Sequence, residues 1–362
     1  MVRIRTPLYN AALREGAKFK EWYDWELPAT YSDVLVEYKA AKEGAALHDA
    51  SYTGRIKATG KDVLDLLHRI STNAVLSLQS GQGAPTVLAT DRGRILDLIT
   101  VLNLGDHILL LTSPQTRDKV IQWIDKYTII EDVVLKDVTP DTAMLSVMGP
   151  KVQALLGRLV SLELESFKPY QSAHITISGV ESYLIRRDLV DMPRFEVVVQ
   201  VESAERVWRE VAAAGAVPIG LEAYEVLRVE AGVPAYEREM GESYNPLETG
   251  LWGSISFTKG CYIGQEVIAR LDTYQKVQRH LVSLSFSPDA QVMEGVKLAS
   301  EGREVGHVTS VVKVPATGEL IGLGYVRKEA AQVGTRMSLA EEEGAWAKVE
   351  AQVLPFGPGE QK

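Results

Sequence analysis

Residues 85–111, PTVLATDRGRILDLITVLNLGDHILLL, decide the fold class. Three apolar runs, Thr86 to Ala89, Ile95 to Leu102 and Ile108 to Leu111, are separated by the turns Asp91-Arg92-Gly93 and Leu104-Gly105-Asp106. Turns this short join antiparallel neighbours, so the stretch predicts a three-strand meander. Beyond it, Ser113-Pro114 reads as an N-cap and first helical residue, with Val120, Trp123, Ile124 and Tyr127 on one helical face. Further apolar faces at Val63, Leu64, Leu67 and Ile70, and at Ala204, Val207, Trp208 and Val211, predict helices packed on antiparallel sheets, an α+β class. A third helix is expected from Leu221 to Ala231, ended by Gly232 and Pro234.

That helix leads into a long irregular loop through Asn245-Pro246-Leu247-Glu248, and loops of this length tend to carry function. After His280 the texture changes to short strands between glycine and proline turns, such as Leu281 to Phe286, Arg303 to Ser310 and Ala347 to Val353. This predicts an α+β region over residues 1–280, a small all-β domain over 281–356 and a tail at 357–362. With 362 residues, 24% charged and 46% hydrophobic, the chain has ample apolar surface for more than one core. A net charge of −9 argues against a sequence-blind nucleic-acid coat. No apolar run reaches the roughly 18 residues of a membrane span, and one cysteine allows no internal disulfide, so cytoplasm is the default compartment.

Three places carry candidate chemistry. The octet Lys259-Gly260-Cys261-Tyr262-Ile263-Gly264-Gln265-Glu266 holds the lone cysteine between two glycines, which suit positive φ and a close approach to a ligand. Lys259 would favour the thiolate of Cys261, while Gln265 and Glu266 would anchor the loop; the alternative is a tight turn around an inert thiol. Asp97 lies in Arg94 to Val101, apolar on both strand faces, on one side with Ile95, Ile99 and Val101. Burying a carboxylate there requires donors such as Arg92 or Arg94, a proton, or a ligand cavity. Glu196 heads the apolar strand Phe195 to Val199, where it could accept paired N–H donors of a pterin or guanine ring, or stand as an ordinary edge residue. Neither metal-ligand spacing nor a phosphate loop is present.

Taken together, Thr6-Pro7-Leu8-Tyr9, Leu47-His48-Asp49-Ala50-Ser51, Gly93 to Asp97 and Leu227-Arg228-Val229-Glu230-Ala231-Gly232 resemble the framework of the glycine cleavage T protein (aminomethyltransferase) superfamily. The octet is similar to the signature of the YgfZ branch, linked to iron–sulfur cluster assembly or repair. The resemblance implies two discontinuous α+β modules of antiparallel sheets over residues 1–280, around a central tetrahydrofolate hole, closed by a C-terminal β-barrel. It implies catalytic roles for Asp97 and Cys261, and a folate site drawing on Asp97, Glu196, Tyr224, Arg228, Lys259, Tyr262, Gly264, Gln265 and Glu266. Gly93-Arg94, Leu98 after Asp97, and Tyr224 depart from the T-protein pattern, which makes YgfZ-type folate binding the expected function. The rivals are aminomethyl transfer from a lipoylated carrier protein, a folate-dependent demethylase and a folate-sensing scaffold. Iron–sulfur proteins are the partners expected on the first reading.

Overall fold

A computed structural model describes residues 3–340 and 344–355; the expected tail at 357–362 lies outside them. The chain forms two compact units. The first comprises Met1–Leu67, Val75–Pro85 and Ile99–Tyr224, and the second His68–Ala74, Thr86–Leu98 and Glu225–Lys362.

In the first unit a six-stranded sheet runs Ser172–Ile177, Val180–Arg186, Arg194–Gln200, Thr142–Met148, Ala46–Asp49, Val217–Pro218. Side chains alternate across a strand, so its two faces bury different partners. On one face Leu145, Val147, Val197 and Val199 pack with Leu155 and Leu156 of the helix Val152–Val160 and with Val207, Trp208 and Val211 of the helix Ala204–Ala213. On the other, Met144, Ile185 and Val198 pack against Leu102, Leu109 and Leu111. Each large aliphatic side chain buried this way contributes about 1.5–3 kcal/mol.

The meander is present as Gly83–Ala89, Ile95–Asn103 and Ile108–Thr112, successive neighbours in a five-stranded sheet completed by Gly54–Thr59 and Val134–Asp137. Parallel pairing is an addition to the antiparallel expectation: Val217–Pro218 lies parallel to Ala46–Leu47, and Ile4–Arg5 parallel to Trp25–Glu26. Both are two-residue edge strands reached through intervening helices, the connection that parallel pairing needs.

Two helix readings need correction. The helix after the meander starts at Arg117, capped by Thr116, not at Ser113-Pro114. Thr116 donates both its N–H and its hydroxyl to the Ser113 carbonyl, which closes a turn ahead of the helix. In the helix Val63–Ile70 the buried face is Val63, Leu66, Leu67 and Ile70, at spacings of three and four, so Leu66 replaces the expected Leu64.

The second unit contains the closed barrel Arg279–Phe286, Leu320–Arg327, Arg303–Lys313, Lys297–Ser300, Arg336–Leu339, Trp346–Gln352. Its interior is filled by residues such as Val282, Leu284, Val308, Val326 and Val349, and closure leaves no open sheet edge. A separate core gathers Val87, Ala89 and Ile95 with Leu247, Leu251, Ile255, Tyr262 and Ile268.

Candidate functional site

Glu196 sits inside the sheet rather than on its edge, correcting one of the two expectations for it. Its strand lies between Val180–Arg186 and Thr142–Met148, and Glu196 pairs in register with Ile185 on one side and Ser146 on the other. The side chain is 1% exposed. Its Oε1 lies 3.3 Å from Arg194 Nε and 3.8 Å from Arg187. Its Oε2 is buried and has no hydrogen-bond partner among the described residues.

Arg194 orders the surroundings. It donates from Nε to the Arg187 carbonyl at 2.7 Å and from a terminal nitrogen to the Tyr224 hydroxyl at 3.2 Å. Burial pulls its pKa down, but the neighbouring Glu196 and Tyr224 outweigh that and hold it above the ordinary arginine value. Tyr224 stacks on His48, with centroids 4.5 Å apart and planes 3° from parallel. His48 is fixed at both nitrogens. Nδ1 faces the Ile219 carbonyl, which can only accept, so Nε2 accepts from the Tyr52 hydroxyl at 3.0 Å. Burial pushes Tyr170 up to about 12, against the pull of Arg187 and Arg194. Sequence reasoning named Glu196 and Tyr224 here and missed Arg187, Arg194, Tyr170 and His48 as partners.

In the second unit Asp97 is fully buried in the strand Ile95–Asn103, as its apolar surroundings required. Arg94, one of the two arginines offered as its partner, points its guanidinium at the Ser243 carbonyl and lies 3.9 Å from Glu248.

The octet is built differently from the expectation. Lys259 donates to the carbonyls of His68, Ser71 and Asn73, so all three ammonium hydrogens are taken up by backbone and hold the loop rather than serving the thiol. Burial pushes its pKa down to about 8, a cost that the three carbonyls offset. Tyr262 is 7% exposed and belongs to the apolar core, its pKa raised to about 12 by burial. Gly264 has φ +82°, and a Cβ there would lie 2.5 Å from the Thr90 carbonyl oxygen. Its glycine is needed for backbone against backbone, not for a ligand. Gly260 has no positive φ and open space around it. Gln265 opens the helix Gln265–Thr273. Glu266 is 85% exposed and pairs with Arg270 one turn on, a surface contact worth about 0.3–0.5 kcal/mol, so it does not anchor the loop. Cys261 is exposed.

Arg228, expected at the ligand, is instead a rivet. Its five N–H groups go to Glu225 twice, the Val233 carbonyl, Glu239 and Ser310. None is left for a ligand. A further buried acid, Glu37, is likewise saturated, accepting from the backbone N–H groups of Tyr31, Ser32 and Gly220 at 2.6–2.8 Å. Tetrahydrofolate, the group that the resemblance implies, carries N–H donors on its pterin ring. The unpartnered Oε2 of Glu196, held beside Tyr224 and Arg194, is an acceptor that fits them.

Comparison with known proteins gives a consistent picture. Residues 8–259 match the family described as the GCVT N-terminal domain, and residues 279–356 the glycine cleavage T-protein C-terminal barrel domain. An aminomethyltransferase of Desulfitobacterium hafniense is 31% identical over 356 residues, covering 97% of this chain and 96% of that protein. A chloroplastic Arabidopsis thaliana protein, provisionally named a transferase, is 35% identical over 305 residues, 84% of this chain and 70% of its own. The crystal structure of glycine cleavage system aminomethyltransferase T from Bartonella henselae superimposes with a TM-score of 0.86 over 98% of both chains at 22% identity, a likeness of fold. One of these relatives is chloroplastic, so cytoplasm does not follow from the family; among the described residues no helix is long and apolar enough to cross a membrane. The matched domains cover most of the chain, and it belongs to the glycine cleavage T-protein (GcvT) family.

Proposed function

We propose that this protein binds tetrahydrofolate and transfers a one-carbon unit to it in the manner of an aminomethyltransferase, with a lipoylated carrier protein as donor. The observation that carries the folate part is the buried, unpartnered Oε2 of Glu196. A carboxylate oxygen left so costs about 1–3 kcal/mol or more, and N–H donors of a pterin ring remove that cost. In this reading Glu196 accepts from the ring, Arg194 holds its Oε1 in place, and the Tyr224–His48 stack forms an aromatic wall. Tetrahydrofolate supplies, when bound, the amine nitrogens that take up the carbon. The family resemblance gives Asp97, fully buried in its strand, the role of holding the proton that the transfer displaces. Relatives of nearly full length that are named aminomethyltransferase support the choice of reaction.

The test supplies purified protein with tetrahydrofolate and an aminomethyl-loaded lipoylated carrier. Methylenetetrahydrofolate and ammonia should form together at an enzymatic rate, and Asp97→Asn should bind folate without turnover. No product above the uncatalysed rate removes the transferase reading.

Two observations favour a second reading. Cys261 is exposed on a loop tied down by Lys259, and Tyr224 stands where the T-protein pattern has arginine, as in the YgfZ-type branch. That reading gives folate binding without carrier-dependent turnover, and loss of iron–sulfur enzyme activity in cells carrying Cys261→Ser. Full support of those enzymes by the serine variant would make the loop structural.

A further inference from the structure

One row of the six-stranded sheet contains a side chain that the folate reading does not yet use. Ile185, Glu196, Ser146 and His48 are register partners on four neighbouring strands. Residues paired in register project to the same face, with Cβ atoms about 4.5–5.5 Å apart on adjacent strands. The two outer polar members are fixed. Glu196 is held through Oε1 by Arg194 and Arg187, and His48 through both nitrogens by Ile219 and Tyr52. Ser146, between them, is 1% exposed, and its Oγ has no partner among the described residues.

A buried hydroxyl without a partner is a cost that alanine, filling almost the same space, would not carry. Ser146 stands in the apolar run Met144-Leu145-Ser146-Val147-Met148, so no structural demand of the strand calls for a hydroxyl. Its neighbour in the row is the other orphan, Glu196 Oε2. The two form an adjacent pair with complementary chemistry. A carboxylate oxygen only accepts, whereas a hydroxyl can donate and accept.

We infer that Ser146 is a ligand-binding residue, and that Glu196 and Ser146 together read the edge of a heterocycle presenting N–H donors next to a ring oxygen or nitrogen acceptor. Glu196 takes the N–H and the Ser146 hydroxyl completes the second contact. The inference rests on the folate reading of this site and adds to it a second point of recognition, supplied from the strand Thr142–Met148.

The test compares wild type with Ser146→Ala by thermal melting without ligand and by calorimetry with tetrahydrofolate and folinate. The contact demands opposite signs. The ligand-free variant should melt at the same temperature or higher, since an orphan hydroxyl is gone, yet bind roughly three- to tenfold more weakly. Unchanged affinity with wild-type binding intact overturns the contact and leaves the folate reading standing. A lower melting temperature in the free variant also overturns it, because the hydroxyl would then have a partner within the protein. Silence of the wild type toward both folates removes the folate reading itself, and the contact with it.

Discussion

The row around Glu196 and the octet around Cys261 are both dense in polar residues, and they dispose of them in opposite ways. In the octet four such groups are settled: Lys259 on three carbonyls, Tyr262 in the core, Glu266 on Arg270, Cys261 in solvent. In the row, polar atoms are buried, and two of them have no partner among the described residues. A conspicuous motif can therefore be mostly architecture, while an inconspicuous strand carries the unsatisfied chemistry. Glu37 and Arg228 sharpen the point, since both are buried and ionisable yet fully bonded.

The largest effect that would break the contrast is at Glu196. Glu196→Gln keeps the shape but replaces an acceptor-only carboxylate, and folate affinity should fall by about 10- to 150-fold in a calorimetric titration. A fall of less than threefold would place recognition elsewhere. Next comes the octet's backbone. Gly264→Ala should lower stability by about 1–3 kcal/mol in denaturant unfolding, because positive φ and the Thr90 carbonyl both oppose a side chain, whereas Gly260→Ala should be nearly silent. Equal effects would mean the two glycines share a role after all.

A third acid sharpens the rule for buried carboxylates. Asp49 is fully buried, and burial raises its pKa against the pull of Ser51, which donates its N–H to Oδ1 at 3.0 Å. Its stabilising neutral form is present below the unfolded-state value and is lost as pH rises through the raised native one. Asp49→Asn should thus melt higher than wild type at neutral pH, and the two should converge toward acid. The smallest effect is expected at Cys261. Cys261→Ser changes an exposed group and should leave both folate affinity and melting temperature essentially unchanged.

Much of the architecture could be read along the chain because it rests on local rules. Turn lengths set the meander, and short strands between glycine and proline turns mark a small all-β domain, whose closure into a barrel only the family resemblance implies. The burial of Asp97 is legible because a carboxylate among Ile95, Ile99 and Val101 stands out within a few residues. The same rule applied to Met144 to Met148 would have flagged Ser146. What could not be read is the register that sets Glu196, Ser146 and His48 side by side, since those residues are far apart in sequence and no local pattern fixes their alignment. Likewise the five acceptors of Arg228 come from four separate positions, so its saturation is visible only in the fold.

Gly93 and Gly264 press against each other's surroundings: a Cβ at Gly93 would meet Val267 and Ile268, as one at Gly264 would meet Thr90. The hairpin that leads into the Asp97 strand and the helix that follows the cysteine are therefore geared like two cogs without play. Neither can loosen alone, and their amide hydrogens should exchange with solvent at a common rate, as one opening event.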